Sequence, residues 1–132
     1  MTINYNETWK RKIALYYDEQ YRRYGVKAQR QYPNEELCRF IFSMFGKLPF
    51  DQRKEVKLLE LGCGVGGNLW MLAYEGFTVA AIDMNFNALA ITCDTIKRRD
   101  CPAASLVNGD LLSAPFIAVS YTHLTLPTKR IV

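Results

Sequence analysis

A chain of 132 residues that is 49% apolar and 23% charged has room for one domain with a real core, and its composition is neither disordered nor repetitive. No apolar run is long enough to cross a bilayer, and the polar stretch Met1 to Lys12 lacks the apolar segment of a signal peptide, so the protein is expected in the cytoplasm, away from membranes. The net charge of +4 is uneven, with twelve Lys or Arg against seven acids in residues 1–57 and three against six in residues 58–118; basic residues this dispersed permit an RNA partner without implying one.

Residues Glu7 to Tyr24 carry Trp9, Ile13, Tyr16, Tyr17 and Tyr24 near a 3.6-residue period, which predicts an amphipathic helix capped by Asn6 and ended by Gly25. Its tyrosines are expected to pack, although a cleft lining is the alternative. A connector, Val26 to Pro33, leads to a second helix with Asn34 as cap, Glu35 and Glu36 in its first turn and Gly46 as its stop. Leu37, Phe40, Ile41, Met44 and Phe45 form its expected core face. After the polar link Lys47 to Glu55, Val56 to Leu61 reads as a first strand, Asn68 to Tyr74 as the start of a helix and Phe77 to Ile82 as a second strand. Asn85 can cap a helix running to about Arg99, with Ala88, Leu89, Ile91, Thr92 and Ile96 inward, and Ala104 to Val107 reads as a third strand. Strands alternating with helices at this spacing predict an α/β fold with a doubly wound, Rossmann-like parallel sheet. Cys38, Cys63, Cys93 and Cys101 contain no C-x-x-C pair, so reduced thiols are expected and no metal site.

The most informative stretch is Leu58 to Gly67, an apolar run ending in an acid and followed by four glycines within six residues. Glycine lets the backbone turn with positive φ and pass close to a ligand, while the helix that follows offers unpaired amide donors. Gly62, Gly64 and Gly67 satisfy G-x-G-x-x-G, the dinucleotide fingerprint, which alone is a weak signal. Glu60, Gly62, Gly64 and Gly66 instead read E-x-G-x-G-x-G, and in this the segment resembles the first motif of class I S-adenosylmethionine-dependent methyltransferases. A carboxylate two residues before the first glycine disfavours an anionic pyrophosphate and attracts an ammonium or a sulfonium. A glycine turn without a ligand is the third reading.

Each strand ends in or directly precedes an acid: Glu60, Asp83 and Asp110. In a doubly wound sheet these ends lie in one crevice, where the three carboxylates are expected to converge. Asp83 falls 17 residues after Gly66, close to the spacing at which an acid accepts both ribose hydroxyls. The step Gly109-Asp110-Leu111 looks like the methyltransferase motif in which the acid accepts from the adenine amino group and the next amide donates to the ring. The resemblance thus implies S-adenosyl-L-methionine as cofactor, held by Glu60, Gly62, Cys63, Gly64, Gly66, Asp83, Met84, Asp110 and Leu111. It further implies in-line methyl transfer to an acceptor, expected to be a small molecule, with the two N-terminal helices as a cap over the site. It identifies no catalytic residue. An NAD(P)-dependent oxidoreductase is the alternative enzyme, and a non-catalytic module binding RNA or a partner is the alternative outside catalysis.

Past Phe116 the sequence has neither helical period nor strand alternation. Val119 to Thr128 back-translates into a string resembling the transposase end and adapter used in preparing sequencing libraries. The expected organisation is therefore a helical cap over 1–55, a partial cofactor-binding domain over 56–117 and a non-native tail over 118–132. His123, the only histidine, is accordingly set aside as a general base. A sheet cut after about three strands leaves the first strand as an open apolar edge, so this piece is expected to be marginally folded and inactive alone.

Overall fold

The computed structural model describes residues 5–102, 104–110 and 123–125. Its centre is a parallel sheet of β1 (Lys57–Leu61), β2 (Thr78–Asp83), β3 (Ser105–Asn108) and β4 (His123–Thr125), in the order β3-β2-β1-β4. The apolar runs Leu58–Leu59 and Val79–Ile82 are buried without alternation, as in strands covered on both faces. All five residues of β1 pair with β2, from Lys57 with Thr78 to Leu61 with Ile82, and β2 in turn pairs Asp83 with Asn108 of β3. The three expected strands each begin one residue later than the pattern alone suggests. Asp83 is therefore the last residue of its strand rather than the first after it.

Four helices accompany the sheet among the described residues: α1 (Tyr5–Tyr24), α2 (Glu35–Phe45), α3 (Leu69–Tyr74) and α4 (Phe86–Arg98). Asn34 caps α2, its side chain accepting from Glu36 N–H at 2.8 Å and Leu37 N–H at 3.2 Å, and Asn85 caps α4 by accepting from Ala88 N–H at 3.0 Å. The main core joins Ile41 of α2, Leu69 and Leu72 of α3 and Leu89 and Ile96 of α4 to Leu58, Val79 and Ala81 of the sheet. None of the helices is long and apolar enough to cross a membrane.

Four expectations are corrected. Asn6 lies inside α1 instead of capping it, because the helix already includes Tyr5. The buried strip of α1 is also narrower than its aromatic pattern: Trp9, Tyr16 and Tyr24 are exposed, and burial falls on Tyr21, with Tyr17 partly covered. The helix packs through Tyr21 on Val65 and Ala88, and Asp18 beside it accepts from the Asn87 side chain at 2.9 Å. On α2, Phe40 and Met44 are exposed, and Cys38 and Phe42 pack beside Leu37, Ile41 and Phe45 in their place. The edge of β1 that was expected to be open carries β4, which pairs His123, Leu124 and Thr125 with Leu58, Leu59 and Glu60. An apolar strand edge with unpaired N–H and C=O groups is a template for any extended segment within reach. The rest of the tail lies outside the described residues.

The link before the sheet, Lys47 to Glu55, includes a 3-10 turn, Phe50–Glu55, that carries a largely covered cation. Arg53, whose side chain is 12% exposed, donates to Leu48 O at 3.3 Å, Gly46 O at 3.3 Å, Glu75 O at 3.1 Å and Glu75 Oε2 at 2.8 Å. Its guanidinium also sits within 6.0 Å of the ring centres of Phe42, Phe50 and Phe77. One side chain thereby ties the end of α2 and the 3-10 turn to the end of α3. Replacing Arg53 by Ala should lower the unfolding free energy by about 2–3 kcal/mol. Lys at this position should recover less than half of that loss in urea titrations, because an ammonium cannot serve the fork of carbonyls and stack on the rings at once.

Candidate functional site

The turn after β1 is built by glycines that the backbone requires. Gly62, Gly64 and Gly66 have φ of 77°, 56° and 83°, in the left-handed region that side chains with a Cβ rarely adopt. Gly67 does not share that conformation; there a Cβ would overlap the carbonyl oxygen of Arg30. The glycines with unusual backbone are thus those of E-x-G-x-G-x-G, while Gly67 serves a close approach of the main chain.

The turn is pinned from two sides. The Gly62 N–H donates to Ile82 O at 2.7 Å, holding the turn on β2. From α4, Thr92 Oγ1 donates to Gly64 O at 2.8 Å and Thr95 Oγ1 donates to Val65 O at 3.1 Å. Both threonines are buried, so each hydroxyl is committed to a carbonyl of the turn that would otherwise lack a donor. The Cys63 thiol lies 3.4 Å from Thr92 Oγ1, and burial pushes it up to about 12, so it is a neutral packing group.

Beneath the turn sits Glu60, 1% exposed, and its Oε2 has no hydrogen-bond partner among the described residues. Burial pushes its carboxyl group up to about 8, against a hydrogen bond from the Asn68 side chain; the neighbouring carboxylate of Asp83 pushes in the same direction as burial. Asn68 stands at the start of α3 without capping it. Its Oδ1 instead accepts from Asn34 N–H at 2.9 Å, so the amide bridges the N-terminal segment and the buried acid.

Asp83, at the end of β2, accepts from Gly64 N–H at 3.2 Å through Oδ2 and from Asn85 N–H at 2.8 Å through Oδ1. Burial raises its carboxyl above the usual range while these amides pull it down. Four acceptor positions on a carboxylate leave room for further donors beside them. The end of β3 holds the following residues in place: Asn108 Nδ2 donates to Asp83 O and to Met84 O, each at 3.1 Å, and Gly109 N–H donates to Asp83 O at 3.1 Å. Met84 and Asp110 then line a cleft of about 540 Å³ together with Glu7, Thr8, Lys10, Arg11 and Ala14 of α1. The structure therefore brings Glu60 and Asp83 together under the glycine turn and places Asp110 with Met84 in the cleft beside α1. Leu111 lies outside the described residues.

A strap formed by Gln29 to Asn34 lies across the turn. Trp70 Nε1 donates to Gln31 O at 3.0 Å, and the Arg99 guanidinium sits 4.0 Å from the centre of the Trp70 ring and 5.0 Å from that of Tyr32. Sequence reasoning missed the strap, Asn68 and the Thr92/Thr95 pair as parts of the site. Two hydroxyls three residues apart on an otherwise apolar helix face were a readable signal for the threonines. For Gln29 and Asn68 there was none, since polar residues in a connector or at a helix start are ordinary.

The family model described as "Tellurite resistance protein TehB" matches residues 51–116, half of the chain. No curated protein matches the sequence. Among solved structures, the chain is similar to a putative S-adenosyl-L-methionine-dependent methyltransferase from Methanococcus maripaludis, with 20% identity and a TM-score of 0.59 over 87% of this chain and 48% of that one. It is also similar to a putative sarcosine dimethylglycine methyltransferase from Galdieria sulphuraria, with 16% identity and a TM-score of 0.60 over 83% of this chain and 47% of that one. A third is magnesium protoporphyrin IX methyltransferase from Synechocystis with bound S-adenosylhomocysteine, at 16% identity and a TM-score of 0.51 over 86% of this chain and 43% of that one. The chain spans less than half the length of each, and at these identities the likeness is one of fold. The chain belongs to the TehB family and carries the fold of the class I S-adenosylmethionine-dependent methyltransferases.

Proposed function

We propose that the chain is the donor-binding part of a methyltransferase, and that the glycine turn with Glu60 and Asp83 receives S-adenosyl-L-methionine. The observation that carries this reading is the buried carboxyl of Glu60, with one oxygen unpartnered, directly beneath a turn of left-handed glycines and beside a second carboxylate. A paired acid in this position is hostile to a pyrophosphate and suited to a ligand bearing ammonium and sulfonium groups. This disfavours the oxidoreductase reading.

In this assignment Asp83 takes the ribose hydroxyls on the acceptor positions its amide bonds leave open. Met84 and Asp110 meet the adenine in the cleft under α1. The donor supplies a methyl group on a sulfonium, which is already a good leaving group. The protein's part is then to orient the methyl carbon toward the acceptor and to exclude water. We infer a small-molecule acceptor, by analogy with the fold relatives that act on a porphyrin or on methylated glycines.

Calorimetry on the chain should detect binding of S-adenosylhomocysteine and none of NAD, and Asp83→Ala should weaken the former at least tenfold, as loss of a pair of charged hydrogen bonds demands. Binding of NAD alone would overturn the assignment, and binding of neither would favour the non-catalytic module.

The ionisation of Glu60 yields a second expectation. Its carboxyl group rises from 4.5 to about 8 on folding, so between those values the folded, ligand-free chain keeps a proton that the unfolded chain has released. Stability contributed by this group is complete below the unfolded value and is lost as pH rises toward the folded one. The melting temperature of the ligand-free chain should fall between about pH 5 and about pH 8, and Glu60→Gln should flatten that slope. A melting series in which the variant keeps the full slope would remove Glu60 as its source.

A further inference from the structure

We infer that Gln29 is a direct contact to the amino-acid portion of the donor, accepting a hydrogen bond from its ammonium group, and that Tyr21 is the positioning residue that aims it. The inference rests on the donor reading above and adds to it two residues of the N-terminal layer.

Tyr21 is 5% exposed, whereas Trp9, Tyr16 and Tyr24 of the same helix face solvent and Tyr17 is half-buried against it, so of these aromatic residues it is the one carried fully onto the turn, where it packs with Val65. Its hydroxyl accepts from Gln29 Nε2 at 2.6 Å and lies in the field of Asp83, over the turn. With the NH2 group of the amide engaged by the phenol, the carbonyl end points the other way. There Oε1 rests against Gly64, where a Cβ on that glycine would overlap it. The surface of the turn assigned to the donor thus carries a fixed neutral acceptor on one side and the unpartnered oxygen of Glu60 beneath.

An ammonium group has three donors and is costly to bury unless each is met. Asp83 provides the opposing charge, joined by Glu60 once the incoming cation displaces its proton, but further carboxylates on the turn would repel one another, so a neutral oxygen is the appropriate additional acceptor. Gln29 supplies it from the strap, which already follows the turn through the approach of Arg30 to Gly67 and the bond from Trp70 to Gln31. The position of the amide over Gly64 also means that it must shift slightly when the ligand enters, exchanging a van der Waals contact for a hydrogen bond.

The test compares two ligands by calorimetry on the 132-residue chain. S-adenosylhomocysteine carries the amino-acid portion, and 5′-methylthioadenosine lacks it. Gln29→Met, which keeps the volume and removes the acceptor, and Gln29→Ala should each weaken S-adenosylhomocysteine roughly tenfold and leave methylthioadenosine within about twofold of the unaltered chain. Tyr21→Phe should weaken only the first ligand, and its effect should vanish when Gln29 is already Met, as coupled residues require. Equal losses for both ligands, unchanged affinities, or tighter binding of both would overturn the inference while leaving the donor reading intact. Failure of the unaltered chain to bind S-adenosylhomocysteine would overturn the donor reading itself, and this inference with it.

Discussion

The structure depends on how a buried carboxyl group is tolerated at the end of β1. A charge with no counter-ion in an apolar interior costs several kcal/mol or forces the group to take up a proton. Glu60 is close to that position: it is buried in β1, it keeps one bond to Asn68, its second oxygen has no hydrogen-bond partner among the described residues, and the charge of Arg30 is the smallest of the influences on it. A fold selected for stability alone would place leucine there. The acid persists next to Asp83, whose own carboxylate is held by the Gly64 and Asn85 amides.

That geometry is supplied from three directions. β2 holds the first amide of the turn through Ile82, α4 holds its carbonyls through Thr92 and Thr95, and the strap closes over it through contacts with α3. Each interaction is a single hydrogen bond, worth about 1 kcal/mol net of the bonds to water it replaces. Together they fix the only stretch of the chain with three left-handed glycines in five residues, a conformation too unfavourable in entropy to persist without such support. The turn is therefore preorganised, and a ligand need not bear the cost of forming it.

Much of this was legible in the sequence, for identifiable reasons. The parallel sheet followed from uninterrupted apolar runs at Leu58 and Val79 and from Asn34 and Asn85, whose capping roles require only local geometry. The glycine set with positive φ was readable from its spacing to Glu60. What stayed hidden depended on contacts across the chain. Tyr21 was passed over because a narrow line of contact with Val65 and Ala88, rather than the width of the aromatic stripe, decides which tyrosine of α1 is buried. Phe40 and Met44 were assigned to the core by period, yet both are exposed and α2 buries Ile41 with Phe42 and Cys38 around it. Gln29 and Asn68 carry no sequence mark, since their roles come from residues 35 or 34 positions away, Gly64 for the one and Asn34 for the other.

The strap has an evolutionary consequence. Trp70 and Asn68 grip it by the Gln31 carbonyl and the Asn34 amide, groups that every non-proline residue possesses. Those two grips hold its path over the turn without drawing on the Gln29 side chain, although Asn34 also caps α2 and Tyr32 meets Arg99. Selection can redraw the chemistry facing the ligand by substitution at positions such as Gln29 without renegotiating the packing of the sheet, which makes this layer the natural place for related proteins to diverge.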